Sequence, residues 1–187
     1  MYPDEVVGIV LVDAAHEDSG NIANMPRQKP PPIPRSIARF LMRFLGQLGL
    51  MRVIEREPSP PPRGLTATQS GTLSMLRRQR QVLLAQYEEG PGAASAALAR
   101  AAGGFGNLPL IVLTAGRPLG PSDQEPLADN TRIQEHWIAL QRDLARQSSV
   151  GQHIVVKDSE KGLPYEAPEA VVGAVRDLVK QISRPPK

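Results

Sequence analysis

The sequence predicts an α/β fold of about three parallel strands with flanking helices and an inserted helical segment. Three observations carry that prediction. The chain has short, almost continuous apolar runs rich in β-branched residues, which suit strands covered on both faces. Amphipathic helical patterns lie between and after these runs, the order expected of parallel pairing. A long proline-punctuated helical stretch separates the first run from the second.

Val6-Val7-Gly8-Ile9-Val10-Leu11-Val12-Asp13 is the first run, apolar up to a terminal acid. Leu108-Pro109-Leu110-Ile111-Val112-Leu113-Thr114 is the second, closed by Ala115-Gly116. His153-Ile154-Val155-Val156-Lys157 is a shorter third. Between the last two, Ile133, Trp137, Leu140 and Leu144 recur at helical spacing. Pro168-Glu169 opens a final helix, where proline suits the first turn. Its stripe is Val171, Val172, Val175, Leu178, Val179 and Ile182. The crossovers are expected to be right-handed.

Residues 19–107 form the predicted insertion, and residues 1–18 with 108–187 the strand-bearing core. Two proline-rich stretches, Pro30-Pro31-Pro32-Ile33-Pro34 and Pro58-Ser59-Pro60-Pro61-Pro62, read as stiff connectors rather than as ligands of proline-binding domains. Between them Ile37, Phe40, Leu41, Phe44, Leu45 and Leu48 trace an amphipathic helix. A second helix is expected over about 70–88, with Leu73, Leu76, Leu83, Leu84 and Tyr87 on one side, and an alanine-rich third over 92–102.

Composition narrows the function classes. The chain has 187 residues, 41% hydrophobic and 22% charged, which is enough for a domain with a real core. It has no cysteine, so disulfides, thiolate nucleophiles and cysteine-based zinc sites fall away together. His16, His136 and His153 are far apart and make no paired-ligand spacing, so no metal site or cofactor is expected. Arginine at 27–63 and at Arg77, Arg78 and Arg80 supplies most of the net charge of +3. With few aromatic residues for stacking, this reads as a solvated face rather than a nucleic-acid or membrane surface. No apolar run reaches the roughly 18 residues of a membrane span. The acidic Met1-Tyr2-Pro3-Asp4-Glu5 start is unlike a signal peptide, which makes the cytoplasm the expected location.

The stretch from Tyr2 to Asp18 resembles the α/β-hydrolase segment that follows the nucleophile helix, where tyrosine-proline and a polar turn lead into a strand. The 19–107 insertion is similar to that family's cap. Leu108 to Gly116 resembles the strand before the lid-side loop. His153 through Pro168-Glu169 resembles the last strand, the catalytic-histidine loop and the final helix. The resemblance covers essentially the whole chain in the right order. It implies a partial α/β-hydrolase fold and, for intact relatives, hydrolysis of small ester-like substrates.

That chemistry needs a nucleophile on a G-x-S-x-G elbow, a histidine base and an acid that orients the base. No G-x-S-x-G occurs here. The segment Thr68-Gln69-Ser70-Gly71-Thr72 lacks both flanking glycines, and Ser70 is given no catalytic role. The resemblance puts the elbow and its oxyanion donors ahead of Met1. Where relatives read Asp-Ser-Gly-His, this chain reads Asp158-Ser159-Glu160-Lys161, so Lys161 takes the histidine position. A lysine with an ordinary pKa of about 10.4 is a cation at neutral pH and cannot accept the nucleophile's proton. His153, eight residues earlier, is expected to pack or hydrogen-bond locally. Arg117 lies near one position the family uses for its acid. Asp13, at the end of the first strand, matches the other and is the first candidate acid, ahead of Asp18 and Asp123. Phe40, Phe44, Leu45 and Leu48 are candidates to shape a pocket, and equally to pack within the insertion.

The expected function is therefore that of a hydrolase-superfamily chain in a truncated, catalytically inactive form. The alternative is a non-catalytic interaction protein, or a half-domain that needs an N-terminal partner. An exposed apolar edge on the first strand would favour self-association.

Overall fold

A computed structural model describes residues 5–19, 37, 40, 41, 44, 63–77, 79, 93–118, 127–160 and 162–183. The chain divides into two compact units, Met1–Met25 with Ala93–Lys187, and Pro26–Gly92.

The first unit is an α/β arrangement. Its sheet has three parallel strands, β1 (Ile9–Val12), β2 (Leu110–Ala115) and β3 (Gln152–Val156), in the order β1-β2-β3. Ile9 lies opposite Leu110, and Ile111 opposite Gln152. The helix α2 (Ala93–Ala102) precedes β2, and α3 (Leu127–Arg146) joins β2 to β3. A short α4 (Leu163–Glu166) and the final α5 (Pro168–Ile182) follow β3. Helix α3 packs on β2 and β3, and α5 on β1 and β2.

Strand β2 is the centre. Leu110, Ile111, Val112, Leu113, Thr114 and Ala115 are all at most 1% exposed. Alternation along the strand sends Ile111, Leu113 and Ala115 to one face, with Leu163, Ala174 and Leu178 and the flanking Val10, Val12 and Ile182. Leu110 and Val112 face the other way, to Leu144 and Ala145, with Ile9, Leu11 and Phe105 at the margin. Each fully buried Leu, Ile or Val contributes about 1.5–3 kcal/mol, so β2 is the largest single source of apolar burial in the sheet.

Two helices differ from the sequence pattern in an informative way. In α5 the apolar arc is wider than the sheet can cover. Ala174 and Leu178 are buried and Val171 and Ile182 pack against the core, whereas Val172, Val175 and Val179 are exposed. In α3 the buried face includes Asn130, Gln134 and Gln141, polar residues that a search for apolar periodicity passes over.

The second unit contains α1 (Ala67–Arg77). Its start is a capping box: Gln69 Oε1 accepts the Thr66 backbone N–H at 2.9 Å, and Thr66 Oγ1 accepts that of Gln69. Ile37, Phe40, Leu41 and Phe44 are helical and exposed, and the Phe40 and Phe44 rings stack with centroids 6.4 Å apart. Leu45, Leu48, Leu83, Leu84, Tyr87 and both proline-rich stretches lie outside the described residues.

Gly151 makes the tight turn from α3 into β3. A Cβ there would meet the Ala145 carbonyl oxygen at 1.9 Å, a backbone atom that cannot move aside. Gly173, inside α5, has nothing within 4 Å of the same position. Gly151→Ala is expected to destabilise by roughly 1–3 kcal/mol, and Gly173→Ala to stabilise by roughly 0.5–1 kcal/mol. Urea midpoints of the two variants check this; shifts of the same sign contradict the packing described.

Candidate functional site

In open α/β sheets the chemistry gathers where the strands end. The three carboxyl ends here are the Asp13–Ser19 loop, the turn at Gly116-Arg117 and the segment from Lys157 to Glu166.

Asp13 terminates β1 in the left-handed region, with φ 46°, a conformation that aspartate tolerates better than most residues. Its backbone N–H still donates to the Leu113 carbonyl at 2.8 Å. Its side-chain Oδ1 accepts the Trp137 indole N–H at 2.7 Å. The candidate acid is thus held by a donor on α3.

The same helix supplies donors to the neighbouring carbonyls. Gln134 Nε2 donates to Ala115 O at 2.6 Å, and Gln141 Nε2 to Ala14 O at 2.5 Å. Gln134, Trp137 and Gln141 follow at spacings of three and four, so one helical face presents all three. Strand-end carbonyls that leave the ladder need such partners when they are buried.

His16 closes the loop after β1. It is 4% exposed, and its Nδ1 accepts the backbone N–H of Asp18 at 2.9 Å. That hydrogen bond places the proton of the neutral ring on Nε2, which lies 3.6 Å from Asp143 Oδ2. Gln147 Nε2 donates to Glu17 Oε1 at 3.2 Å. Asp18 pairs with Arg100 of α2 across exposed surface, a contact of small energetic value.

The segment after β3 is built around Glu166. Its Oε2 accepts the Ser159 hydroxyl at 2.9 Å and the Glu160 backbone N–H at 2.5 Å. Ser159 is 1% exposed, and its carbonyl accepts the Arg117 N–H at 2.9 Å. Gly116 N–H donates to Val156 O at 2.9 Å, and the Arg117 guanidinium lies 3.8 Å from Glu160 Oε1. A Cβ on Gly116 would meet Lys157 Cα at 2.7 Å, so this close approach requires glycine. The turns after β2 and β3 are therefore fastened together.

Lys161 and Asp123 lie outside the described residues, although Glu160 and Gly162 beside Lys161 are placed. Ser70 lies in α1 of the other unit. His153 hydrogen-bonds within the sheet, its Nε2 lying 2.9 Å from Thr114 Oγ1. Sequence reasoning passed over Gln134, Gln141 and Glu166, and weighed His16 only as a metal ligand. For Glu166 a signal existed, since it stands two residues before Pro168 in the stretch already singled out. The glutamines offered none beyond their helical spacing to Trp137.

Chemically, the arrangement holds shape. The Ser159 hydroxyl is buried and committed to a carboxylate, with no imidazole among its hydrogen-bond partners. Among the described residues no cluster of three or more His, Asp or Glu side chains could hold a metal ion. No helix among them is long and apolar enough to cross a membrane.

No protein-family model, curated protein or solved structure matches the chain. The fold is an open three-stranded parallel α/β sheet with helices on both faces.

Burial, and then the nearby Arg142 guanidinium, hold the His153 pKa below its ordinary value. The folded state therefore disfavours the protonated ring. Its contribution is fully present above about pH 6.5 and is lost as the pH falls towards the lower folded-state value, because the unfolded chain takes up the proton first. The urea midpoint is expected to drop between about pH 7 and about pH 5, and to drop less in His153→Gln. An equal drop in both proteins rules His153 out as a source.

Proposed function

We propose that these residues are the post-nucleophile portion of an α/β-hydrolase-type domain, and that by themselves they do not hydrolyse esters. The observation that carries the reading is the sequential order β1-β2-β3, all parallel, with α3 and α5 on opposite faces. The segments that resemble the family fall on these elements in turn. Asp13 ends β1, the Arg117 turn follows β2, and the Ser159–Glu169 motif links β3 to α5. All three emerge at one edge of the sheet, where a triad would have to assemble.

Inactivity follows from the residues that stand there. No G-x-S-x-G elbow is present in the sequence. Lys161, in the histidine position, is an ammonium ion unless strongly desolvated and has no lone pair to take a proton. Arg117, near one acid position, has a Glu160 carboxylate 3.8 Å away, so the charges in these two turns are arranged unlike an acid–histidine pair. Asp13 remains the one candidate for a triad role. Its bond to Trp137 suits a structural part equally well.

In intact relatives the resemblance implies a small ester-like substrate. A second reading, a non-catalytic interaction protein or a half-domain that needs an N-terminal partner, draws on the exposure of Val6 and Val7 beside β1.

The test is turnover of a short-chain p-nitrophenyl ester by the purified chain and by Lys161→Ala. Neither protein is expected to exceed the buffer rate. Turnover that a fluorophosphonate blocks and that Lys161→Ala abolishes would overturn the reading.

A further inference from the structure

The two edges of the sheet differ. Strand β3 ends the sheet as soluble edges usually do, with Gln152, His153 and the adjacent Lys157 breaking up its apolar surface. Strand β1 does not. All four of its residues, Ile9, Val10, Leu11 and Val12, are apolar, and side chains from both faces reach core clusters. That is the pattern of an interior parallel strand. Yet among the described residues β1 pairs with β2 alone.

The backbone shows which groups lie open. Ile9 and Asp13 donate their N–H groups to Pro109 O and Leu113 O. In a parallel ladder, alternate residues point the same way. Val10 and Val12, out of step with Ile9, Leu11 and Asp13, direct their N–H and C=O groups to the open side.

The exposed stripe on α5 lies beside this edge. Helix α5 runs from the carboxyl edge of the sheet back towards its amino edge, where a Cβ on Gly8 would touch Ile182 and Leu178. With a right-handed β2–α3–β3 crossover and α5 on the face opposite α3, β1 lies on a defined side of α5. Val172, Val175 and Val179 are 40%, 46% and 55% exposed. They are rotated about a quarter turn from the core-facing Val171, Ala174, Leu178 and Ile182. In a right-handed helix that rotation carries them to the β1 flank. Val6 and Val7, 44% and 61% exposed, lead into the same edge.

We propose that this surface is an interface with a second copy of the chain, related by a two-fold axis perpendicular to the sheet. The strand β1 would pair antiparallel with its counterpart, giving a continuous six-stranded sheet. Two distances agree with this occupant. Strands sit about 4.8 Å apart, and α5 lies over β1 and β2. The two α5 helices would then be two strand spacings apart, about 10 Å, which is the ordinary separation of packed helices. Their valine flanks would face each other on the same side of the sheet. One symmetric contact satisfies the open backbone groups and covers both apolar features. The inference rests on exposure and backbone direction and does not depend on the hydrolase reading.

Sedimentation velocity of the whole chain over a wide concentration range tests it, with two variants at exposed positions, Val175→Lys/Val179→Lys and Val6→Lys/Val7→Lys. The wild-type chain is expected to form a closed dimer. Each variant is expected to weaken it by roughly 30-fold or more, with an unchanged circular dichroism spectrum. A wild-type monomer throughout, an open-ended series of larger species, or a dimer that either variant leaves intact would overturn the proposal. Ester turnover is read separately, so failure here leaves that reading to its own assay.

Discussion

Strand β2 can be buried on both faces only if every polar group along it, and at its ends, finds a partner inside the protein. Its six residues lose essentially all contact with water, and an unpaired amide in such a place costs more than most single apolar contacts return. The ladders to β1 and β3 satisfy the strand itself. Beyond the last ladder bonds the chain must turn away. There α3 places Gln134 under the Ala115 carbonyl and Gln141 under that of Ala14, while Trp137 takes the Asp13 carboxylate. At the opposite edge Ser148 donates to Leu108 O. A helix that crosses the carboxyl ends of the strands needs donors on its inner face there, and α3 carries them, while Ser148 just beyond its end serves the other edge.

The same constraint shapes the carboxyl edge. Glu166 gathers the Ser159 hydroxyl and the Glu160 amide, and the Ser159 carbonyl binds the Arg117 amide. Hydrogen bonds to a carboxylate are worth more than those between neutral groups, so Glu166 anchors the segment that precedes α5. An enzyme site at this edge would need side chains poised for an incoming group. Here Asp13, Gln134, Ser159 and Glu166 are engaged with the protein itself, while His16 Nε2 and Gln141 Oε1 are buried without a hydrogen-bond partner among the described residues. Our proposal of a hydrolase-type frame without hydrolytic activity places no demand on them beyond this structural part.

The strands were legible because burial on both faces leaves a direct trace, a run such as Ile9 to Val12 or Leu110 to Leu113 with no polar interruption. The final helix was legible from Pro168 and the apolar repeat after it. Which valines of that repeat would meet the sheet was not legible. Val171 and Val172 have the same chemistry, and only the position of β1 and β2 distinguishes them. The polar side of α3 was hidden for a related reason. Gln134 and Gln141 read as solvent-facing residues until the carbonyls they serve are in place. At the candidate site, Asp13 could be picked out as a strand-end acid. Its partner Trp137 looked like one more apolar residue in a stripe, because an indole N–H adds nothing to a hydrophobic pattern.

The central claim is that β2 is the interior strand on which the rest is assembled, with β1 and β3 on either side of it. Native-state hydrogen exchange on the intact chain tests it most directly. The amides of Leu110 to Ala115 should exchange last, at a rate that rises with denaturant as expected for global unfolding. If those amides instead exchange through local opening, insensitive to denaturant and no slower than the amides of α2, β2 is not the core of this fold and the account fails.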